Sequence, residues 1–178
     1  MPRQMKTLFL IDGSHYDRLR SVLETPFDLC KLAWLANDGA SVDQAVYYRD
    51  LRDDNEAERQ RSLLGWLGHN GFVVKGRTHG PGEPRERYGT NLVQIAVDAL
   101  LTAEPGDHVV VLAGDAKLAP LLAALREYDI KVTLISTLDA PDTIAPASIL
   151  IEAADKFIDL RTIVGQLGLE KADTSRSD

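Results

Sequence analysis

The stretch at residues 108–128, HVVVLAGDAKLAPLLAALREY, decides the fold class of this chain. Residues 108–113 are a short, nearly continuous apolar run, which is typical of a buried strand. Residues 117–128 have the spacing of an amphipathic helix, and a second strand is predicted at 130–136. A strand, a helix and a strand in succession indicate a parallel sheet that is covered by helices.

The same alternation extends outward through the rest of the chain. The helix predicted at 90–103 is apolar on nearly every side, so we expect it to be deeply buried. Residues 76–89 are rich in Gly, Pro and Arg and predict a long loop. We expect an α/β domain over 1–160, a parallel sheet with helices on both faces, followed at 161–178 by a helical extension and a disordered polar tail. The other strands are predicted at 6–12, 43–49, 72–74 and 157–160, and the other helices at 27–37, 55–69 and 146–155.

Composition excludes several classes of protein. The 178 residues carry a formal net charge of −7, which argues against binding of nucleic acid or anionic membranes mainly through bulk charge. The single cysteine, Cys30, excludes an internal disulfide and an all-cysteine zinc site. The apolar run at residues 8–11 is too short for a signal peptide, and no stretch approaches the ~20 apolar residues of a membrane span. We therefore expect a cytoplasmic protein.

Two predicted strands end in an acidic residue. Asp12 ends the strand at 6–12, and Asp115 follows the strand at 108–113. If these strands are neighbours, both carboxylates face the crevice at the carboxyl ends of the strands, where open α/β sheets bind ligands. Either residue alone suits a helix cap equally well, so the pair is more informative than each member.

A third acid, Asp98, lies inside the apolar helix at 90–103. A buried, ionised carboxylate is costly unless it is paired or binds a metal, so Asp98 is either part of a structural ion pair or a metal ligand. Asn91 and Gln94 share its helical face. This face therefore offers one carboxylate and two amide oxygens to a polar site.

These oxygen ligands favour a hard cation. Carboxylates without paired cysteines suit Mg²⁺ or Mn²⁺, and carboxylate-held Mg²⁺ commonly positions a phosphate and activates water. Ser14 and His15 directly follow Asp12 and can reach the same crevice. The P-loop and G-x-S-x-G motifs are absent, so nucleotide hydrolysis of the P-loop type and serine-hydrolase chemistry are disfavoured.

The segment at 49–87 is the least acidic part of the chain. It holds eight basic and seven acidic residues, whereas the whole chain has 20 basic and 27 acidic ones. Tyr47, Tyr48 and Tyr88 flank it or lie within it, where tyrosines can stack on bases. A solvated loop with mixed charges and core tyrosines is the alternative. If RNA approaches here, the cations that would contact its backbone are Lys75, Arg77, Arg85 and Arg87.

Five segments follow one another in a recognisable order: LFLIDGSHYD at 8–17, AVYYRD at 45–50, QIAVDALL at 94–101, VVVLAGDAKLAPLLAALRE at 109–127 and ILIEAADKFIDL at 149–160. This order resembles the NYN domain, also called the LabA or DUF88 family, of the PIN-like nuclease superfamily. The resemblance implies a PIN-like, Rossmann-like α/β fold, an acidic cluster that binds Mg²⁺ or Mn²⁺, and hydrolysis of RNA phosphodiesters. By position, it implies that Asp12, Asp98 and Asp115 are the acids of that cluster.

Two departures from the family pattern affect this interpretation. Lys117 stands where the family's S-G-D-x-D-F turn has its second acid, and another family acid falls on Asn91 or its neighbour. Two consequences compete. Lys117 pairs with Asp115 and replaces the charge of the metal, or the three remaining acids suffice for one ion with Asn91 as a neutral ligand.

The leading hypothesis is a metal-dependent endoribonuclease with a partly degenerate acidic site. One alternative is a catalytically impaired NYN domain that serves as an RNA- or protein-binding module, and another is a small-molecule phosphohydrolase. The sequence leaves open a homodimer through an exposed helix or a protein partner. In the leading hypothesis, Asp12, Asp98 and Asp115 are catalytic and hold Mg²⁺ or Mn²⁺ together with Asn91, while Ser14, His15 and Lys117 position phosphate or water.

Overall fold

The structure, a computed structural model, describes residues 2–76 and 90–168. Its strands are β1 (Thr7–Asp12), β2 (Gln44–Tyr48), β3 (Val73–Lys75), β4 (His108–Leu112), β5 (Lys131–Ser136) and β6 (Lys156–Asp159). They form one six-stranded sheet in the order β3-β2-β1-β4-β5-β6, and every neighbouring pair is parallel. This sheet confirms the predicted parallel α/β fold.

Helices cover both faces of the sheet. Because side chains alternate along a strand, Leu8 and Leu10 of β1 belong to one core, and Phe9 and Ile11 belong to the other. The helices are α1 (Gly13–Leu23), α2 (Leu29–Ala36), α3 (Asp54–His69), α4 (Thr90–Thr102), α5 (Ala119–Glu127), α6 (Ser148–Glu152) and α7 (Leu160–Ile163). The first core includes residues of α4, α5 and α6, and the second includes residues of α1, α2 and α3.

The direction of strand addition reverses between β1 and β4. The chain first builds β2 and β3 on one side of β1, and α4 then carries it back so that β4 pairs with the other side. The register places Leu10 opposite Val111 and Ile11 opposite Leu112. The strands that precede Asp12 and Asp115 are therefore neighbours, as the predicted crevice requires.

The sequence pattern predicts no element at residues 13–23, where the structure has α1. The side chain of Asp12 caps this helix, and Tyr16, Leu19 and Leu23 form its buried side. Charged and polar residues fill most of the positions between these three, which hides the apolar pattern. The spacing of three and four residues was nevertheless present in the sequence.

The expectation that α4 is deeply buried is wrong for the single chain. Leu92, Ile95 and Ala99 pack into the core, but Val93 and Leu101 on the opposite side are exposed. A helix that is apolar all round places only one face against the sheet, and the outer face of α4 is exposed in the single chain.

The described residues after β6 pack onto the domain. Leu160 of α7 and Leu167 are both buried in the core that contains α1 and α2. The carbonyl of Leu167 also accepts a hydrogen bond from the backbone N–H of Asp28 at 3.0 Å. The predicted polar tail, KADTSRSD at 171–178, lies outside the described residues. No helix in the described part of the chain is long and apolar enough to cross a membrane.

Candidate active site

A cavity of about 450 Å³ opens beside the carboxyl ends of β1 and β4. This is the point at which the strand order reverses, and it is the usual ligand site of an open parallel sheet. The cavity is lined by Asp12, His15 and Arg18, by Gly114 and Asp115, and by the loop at residues 142–147. The cavity therefore brings together Asp12, His15 and Asp115, three of the residues that the sequence singles out.

Asp12 is a buried carboxylate at the N-terminus of α1. Its Oδ1 accepts a hydrogen bond from the backbone N–H of Ser14 at 3.2 Å, which caps the helix. Burial raises the pKa of Asp12 above its ordinary value, and the nearby Asp115 raises it further. The Ser14 N–H and the Arg18 guanidinium oppose this shift in the Asp12 pKa. A buried carboxylate whose charge is disfavoured is a good acceptor for a cation.

Asp115 presents a half-exposed carboxylate to the same cavity. Its Oδ1 accepts from the backbone N–H of Lys117 at 2.9 Å, and its Oδ2 lies 3.5 Å from Lys117 Nζ. The Lys117 side chain is mostly exposed, and exposed ion pairs of this kind are weak. Lys117 does not line the cavity, so the carboxylate of Asp115 stays accessible to a stronger cation.

His15 forms a buried wall of the cavity. Its Nε2 lies 2.8 Å from Ser136 Oγ at the end of β5, and Gly114 packs against the ring. A Cβ atom on Gly114 would lie 2.3 Å from His15 Cε1, which is closer than real side chains approach. The absence of a side chain at Gly114 is therefore what allows the imidazole to lie beside the carboxyl end of β4.

We expect His15 to be neutral throughout the physiological pH range. Burial lowers the pKa of His15 to about 4, from an ordinary value near 6.5. Between these two pH values the unfolded chain binds a proton that the folded chain does not, so protonation favours unfolding. For His15, the free energy of unfolding should therefore fall by about 2 kcal/mol from pH 7 to pH 5. NMR titration of the ring protons in metal-free buffer measures the pKa directly. An imidazole that titrates above pH 6 would contradict the expectation.

His108 provides an internal comparison in the same titration. Burial also lowers the pKa of His108 to about 4, and its Nε2 lies 2.7 Å from Thr133 Oγ1, away from the cavity. Both imidazoles should stay neutral at pH 6 if burial is the cause. If the pKa is lowered for His15 but not for His108, the cause would instead be the surroundings of His15 in the cavity.

Arg18 and Asp142 are cavity residues that the sequence interpretation missed. Arg18 lies one helical turn after His15 on α1, so the two side chains share a face. The guanidinium of Arg18 is close enough to lower the pKa of both Asp12 and His15. The one-turn spacing of Arg18 from His15 would have revealed Arg18 once α1 was assigned. Asp142 reaches the cavity from a loop, and no periodic signal marks it.

Asp98 has two partners next to the ends of β2 and β3. Its Oδ2 accepts a hydrogen bond from Tyr48 Oη at 2.8 Å and pairs with Lys75 Nζ at 2.8 Å. The pKa of Tyr48 is raised by burial and by its hydrogen bond to Asp98. Asp98 and Lys75 do not line the cavity around Asp12. The assignment of Asp98 as a metal ligand, and of Lys75 as an RNA contact, stays a prediction.

The other predicted site residues lie in different surroundings. Asn91 Oδ1 is buried and has no hydrogen-bond partner among the described residues, so it can accept from water or bind a cation. Ser14 donates its backbone N–H to Asp12, and its Oγ lies 3.5 Å from Arg49 Nη1. Three predicted RNA contacts, Arg77, Arg85 and Arg87, lie outside the described residues.

The donor set suits a sparsely held cation. Among residues 2–76 and 90–168, no group of three or more His, Cys, Asp and Glu side chains is arranged to hold a metal. Mg²⁺ usually keeps several waters and takes only one or two carboxylates beside a substrate phosphate. Asp12 and Asp115 fit that requirement, because both line one cavity and Asp12 is buried there.

The comparisons with known proteins agree with the architecture. The six-stranded parallel sheet, with helices on both faces and a cavity at its switch point, is a PIN-like α/β fold. The chain belongs to the NYN domain family, whose profile matches residues 5–162. A solved structure with the same fold is a protein of unknown function, VPA0982, from Vibrio parahaemolyticus RIMD 2210633. It is 21% identical to this chain, and the match covers 90% of this chain and 96% of the Vibrio protein, with a TM-score of 0.66. No curated protein matches the chain.

Proposed function

We propose that this protein is a metal-dependent ribonuclease that hydrolyses RNA phosphodiester bonds in the cavity beside Asp12 and Asp115. The observation that supports the proposal most directly is the meeting of these two carboxylates with the Arg18 guanidinium in one cavity. Two anions and a cation around a cavity can hold a divalent ion and a phosphate together. Membership of the NYN family supports a nuclease-like activity.

Each residue has a distinct role in the proposed reaction. Asp12 and Asp115 would hold Mg²⁺ or Mn²⁺, which supplies charge to bind a phosphate and to activate water for attack on phosphorus. Arg18 would contact a non-bridging oxygen of the scissile phosphate. His15 fixes the cavity wall through Ser136 and, being neutral, does not supply a proton at neutral pH. Asn91 and Ser14 do not line the cavity, so the orientation of water by these two residues stays a prediction.

An RNA substrate fits the charge distribution of the chain. The net charge of −7 repels a polyanion, so binding has to rely on a local approach. The segment at 49–87 is nearly neutral, and Lys75, with Arg77, Arg85 and Arg87, would contact backbone phosphates there. This arrangement favours selective binding over indiscriminate binding.

A second candidate function is an NYN domain that binds RNA or protein without cleaving RNA. The observation that favours it is the ion pair of Asp98 with Lys75, at 2.8 Å, because it neutralises one of the three family acids. The 3.5 Å contact of Lys117 with Asp115 acts in the same direction. RNA binding in the absence of cleavage would identify this candidate.

The decisive experiment measures cleavage of labelled single-stranded and structured RNA in Mg²⁺, in Mn²⁺ and in EDTA. We expect cleavage with either metal, none in EDTA, and a loss of at least about 100-fold in Asp115→Asn, because one of two anionic metal ligands is removed. Asp129→Asn is the matched control. Asp129 lies remote from the cavity with a backbone φ of 58°, which asparagine tolerates, so full activity is expected.

The outcomes of this experiment separate the hypotheses. Cleavage that survives both EDTA and Asp115→Asn would indicate a contaminant and contradict the proposal. Binding without cleavage would favour the second candidate. Hydrolysis of small phosphoesters but not of RNA would instead identify a small-molecule phosphohydrolase.

A further inference from the structure

Lys75 ends a row of three side chains that crosses the sheet from the cavity to β3. The register pairs Asp12 with Tyr48 and Tyr48 with Lys75. Paired residues of neighbouring strands point to the same side of a sheet, so all three side chains lie on the side that α4 covers. Neighbouring strands lie roughly 5 Å apart, which places the backbone of Lys75 roughly 10 Å from that of Asp12.

Asp98 of α4 lies over the far end of this row. Its Oδ2 accepts from Tyr48 Oη at 2.8 Å and from Lys75 Nζ at 2.8 Å, so a single oxygen atom holds both donors. Tyr48 is fully buried, and the side chains of Asp98 and Lys75 are 22% and 35% exposed. A partly buried ion pair is screened by salt less than a surface pair. The pair therefore persists in the metal-free protein while one side of it stays in contact with solvent.

The ammonium of Lys75 makes Asp98 a poor ligand for a divalent cation. A metal ion on Asp98 Oδ2 would lie close to Lys75 Nζ, which is 2.8 Å from the same oxygen. The two positive charges would repel each other in surroundings that screen them little. Moving Lys75 away would also give up a charge-assisted hydrogen bond. The Asp98 carboxylate is therefore already compensated without a metal.

Lys117 is held by its acid much less firmly than Lys75 is. Its Nζ lies 3.5 Å from Asp115 Oδ2, and 64% of its side chain is exposed. Lys75 and Asp98 belong to different elements, β3 and α4, so their pair is fixed by tertiary packing. An exposed lysine leaves a carboxylate at little cost. We therefore expect a metal ion to displace Lys117 from Asp115 but not Lys75 from Asp98.

We propose that Lys75 supplies a fixed positive charge beside the cavity and thereby keeps Asp98 from binding a metal ion. The inference rests on the proposed function for the ion that Asp12 and Asp115 would hold. A second divalent ion is not needed at Asp98, because the ammonium takes its place. Lysine has three N–H donors, so Lys75 can bind Asp98 and a phosphate of the substrate together. The second positive charge of the site then comes from the protein and not from solution.

Calorimetric titration of the full chain with Mn²⁺, in the absence of RNA, tests this role of Lys75. Lys75→Gln and Lys75→Met are expected to bind Mn²⁺ about 10-fold more tightly than the wild type, because the Asp98 carboxylate is then uncompensated. Adding Asp98→Asn to Lys75→Gln should restore the wild-type affinity, since the double variant is again neutral at this pair. Lys75→Arg keeps the charge and should bind like the wild type. Lys131→Gln is the matched control, because Lys131 begins β5 at the opposite end of the strands, and its affinity should be unchanged.

Each outcome of the titration bears on Lys75. Equal Mn²⁺ binding by Lys75→Gln, Lys75→Met and the wild type, including no binding by any of them, would overturn the inference. A loss of at least about 100-fold in the double variant would also overturn it, because Asp98 would then be a ligand of the ion. An equal gain in Lys131→Gln would attribute the effect to net charge and would overturn it too. The expected Mn²⁺ affinities without any RNA cleavage would contradict the proposed function and leave the inference about Lys75 supported.

Discussion

Asp12→Asn is expected to slow RNA cleavage by at least about 100-fold. Asparagine keeps the shape of the side chain and an oxygen that can accept from the Ser14 N–H, so the cap of α1 is retained. The change removes only the negative charge that, with Asp115, would hold a cation in the cavity. Single-turnover cleavage of labelled RNA in Mn²⁺ measures the effect.

The same substitution is expected to maintain or raise stability. Burial raises the pKa of Asp12, so the wild-type free energy of unfolding falls as the pH rises from the ordinary pKa through the raised one. Asp12→Asn lacks this penalty and should have an equal or higher Tm at neutral pH in metal-free buffer. Mg²⁺ or Mn²⁺ should raise the Tm of the wild type but not that of the variant, because only the wild type binds the ion in its folded state.

Asp98→Asn is the matched comparison for Asp12→Asn. Asp98 is held by Tyr48 and Lys75 and does not line the cavity, so we expect a smaller loss of cleavage, about 10-fold. Equal losses in the two variants would make Asp98 a third metal ligand and would require Lys75 to leave it. Undiminished cleavage by Asp12→Asn would contradict the proposed site.

The proximity of Asp12 and Asp115 could be predicted from the sequence. The segments at 6–12 and 108–113 are nearly continuous apolar runs, which indicates buried strands. The first ends in Asp12, and the second is followed by Asp115. Helical stretches between them force parallel pairing, which gathers the ends of the strands at one edge of the sheet. The structure adds the strand order, which makes β1 and β4 direct neighbours.

The rest of the cavity depends on features that the sequence pattern does not carry. The charged residues of α1 hide the apolar side of this helix, so the sequence pattern does not predict a helix there. Without the helix, the one-turn spacing of Arg18 from His15 has no structural meaning. Asp142 lies on a loop whose position is set by tertiary packing. The pairing of Asp98 with Lys75 joins residues on different elements, and no local rule predicts it.

The second large expected effect is a loss of stability when the wall of the cavity is changed at Gly114. Gly114→Ala is expected to lower the free energy of unfolding by about 3 kcal/mol, or the Tm by about 10 °C. The new Cβ would lie 2.3 Å from His15 Cε1 and 2.9 Å from both ring nitrogens. The buried imidazole would have to move and lose its contact with Ser136 Oγ. Urea-induced and thermal unfolding measure the loss.

Two further variants decide whether the His15 ring is the cause. Gly65→Ala, in α3, has no atom within 4 Å of the added Cβ, so helix propensity alone should stabilise the protein by about 0.5–1 kcal/mol. Because His15→Ala removes the ring that the new methyl group meets, adding Gly114→Ala to it should cost much less than adding it to the wild type. Equal costs in the two backgrounds would show that Gly114 is required for its backbone and not for the imidazole beside it.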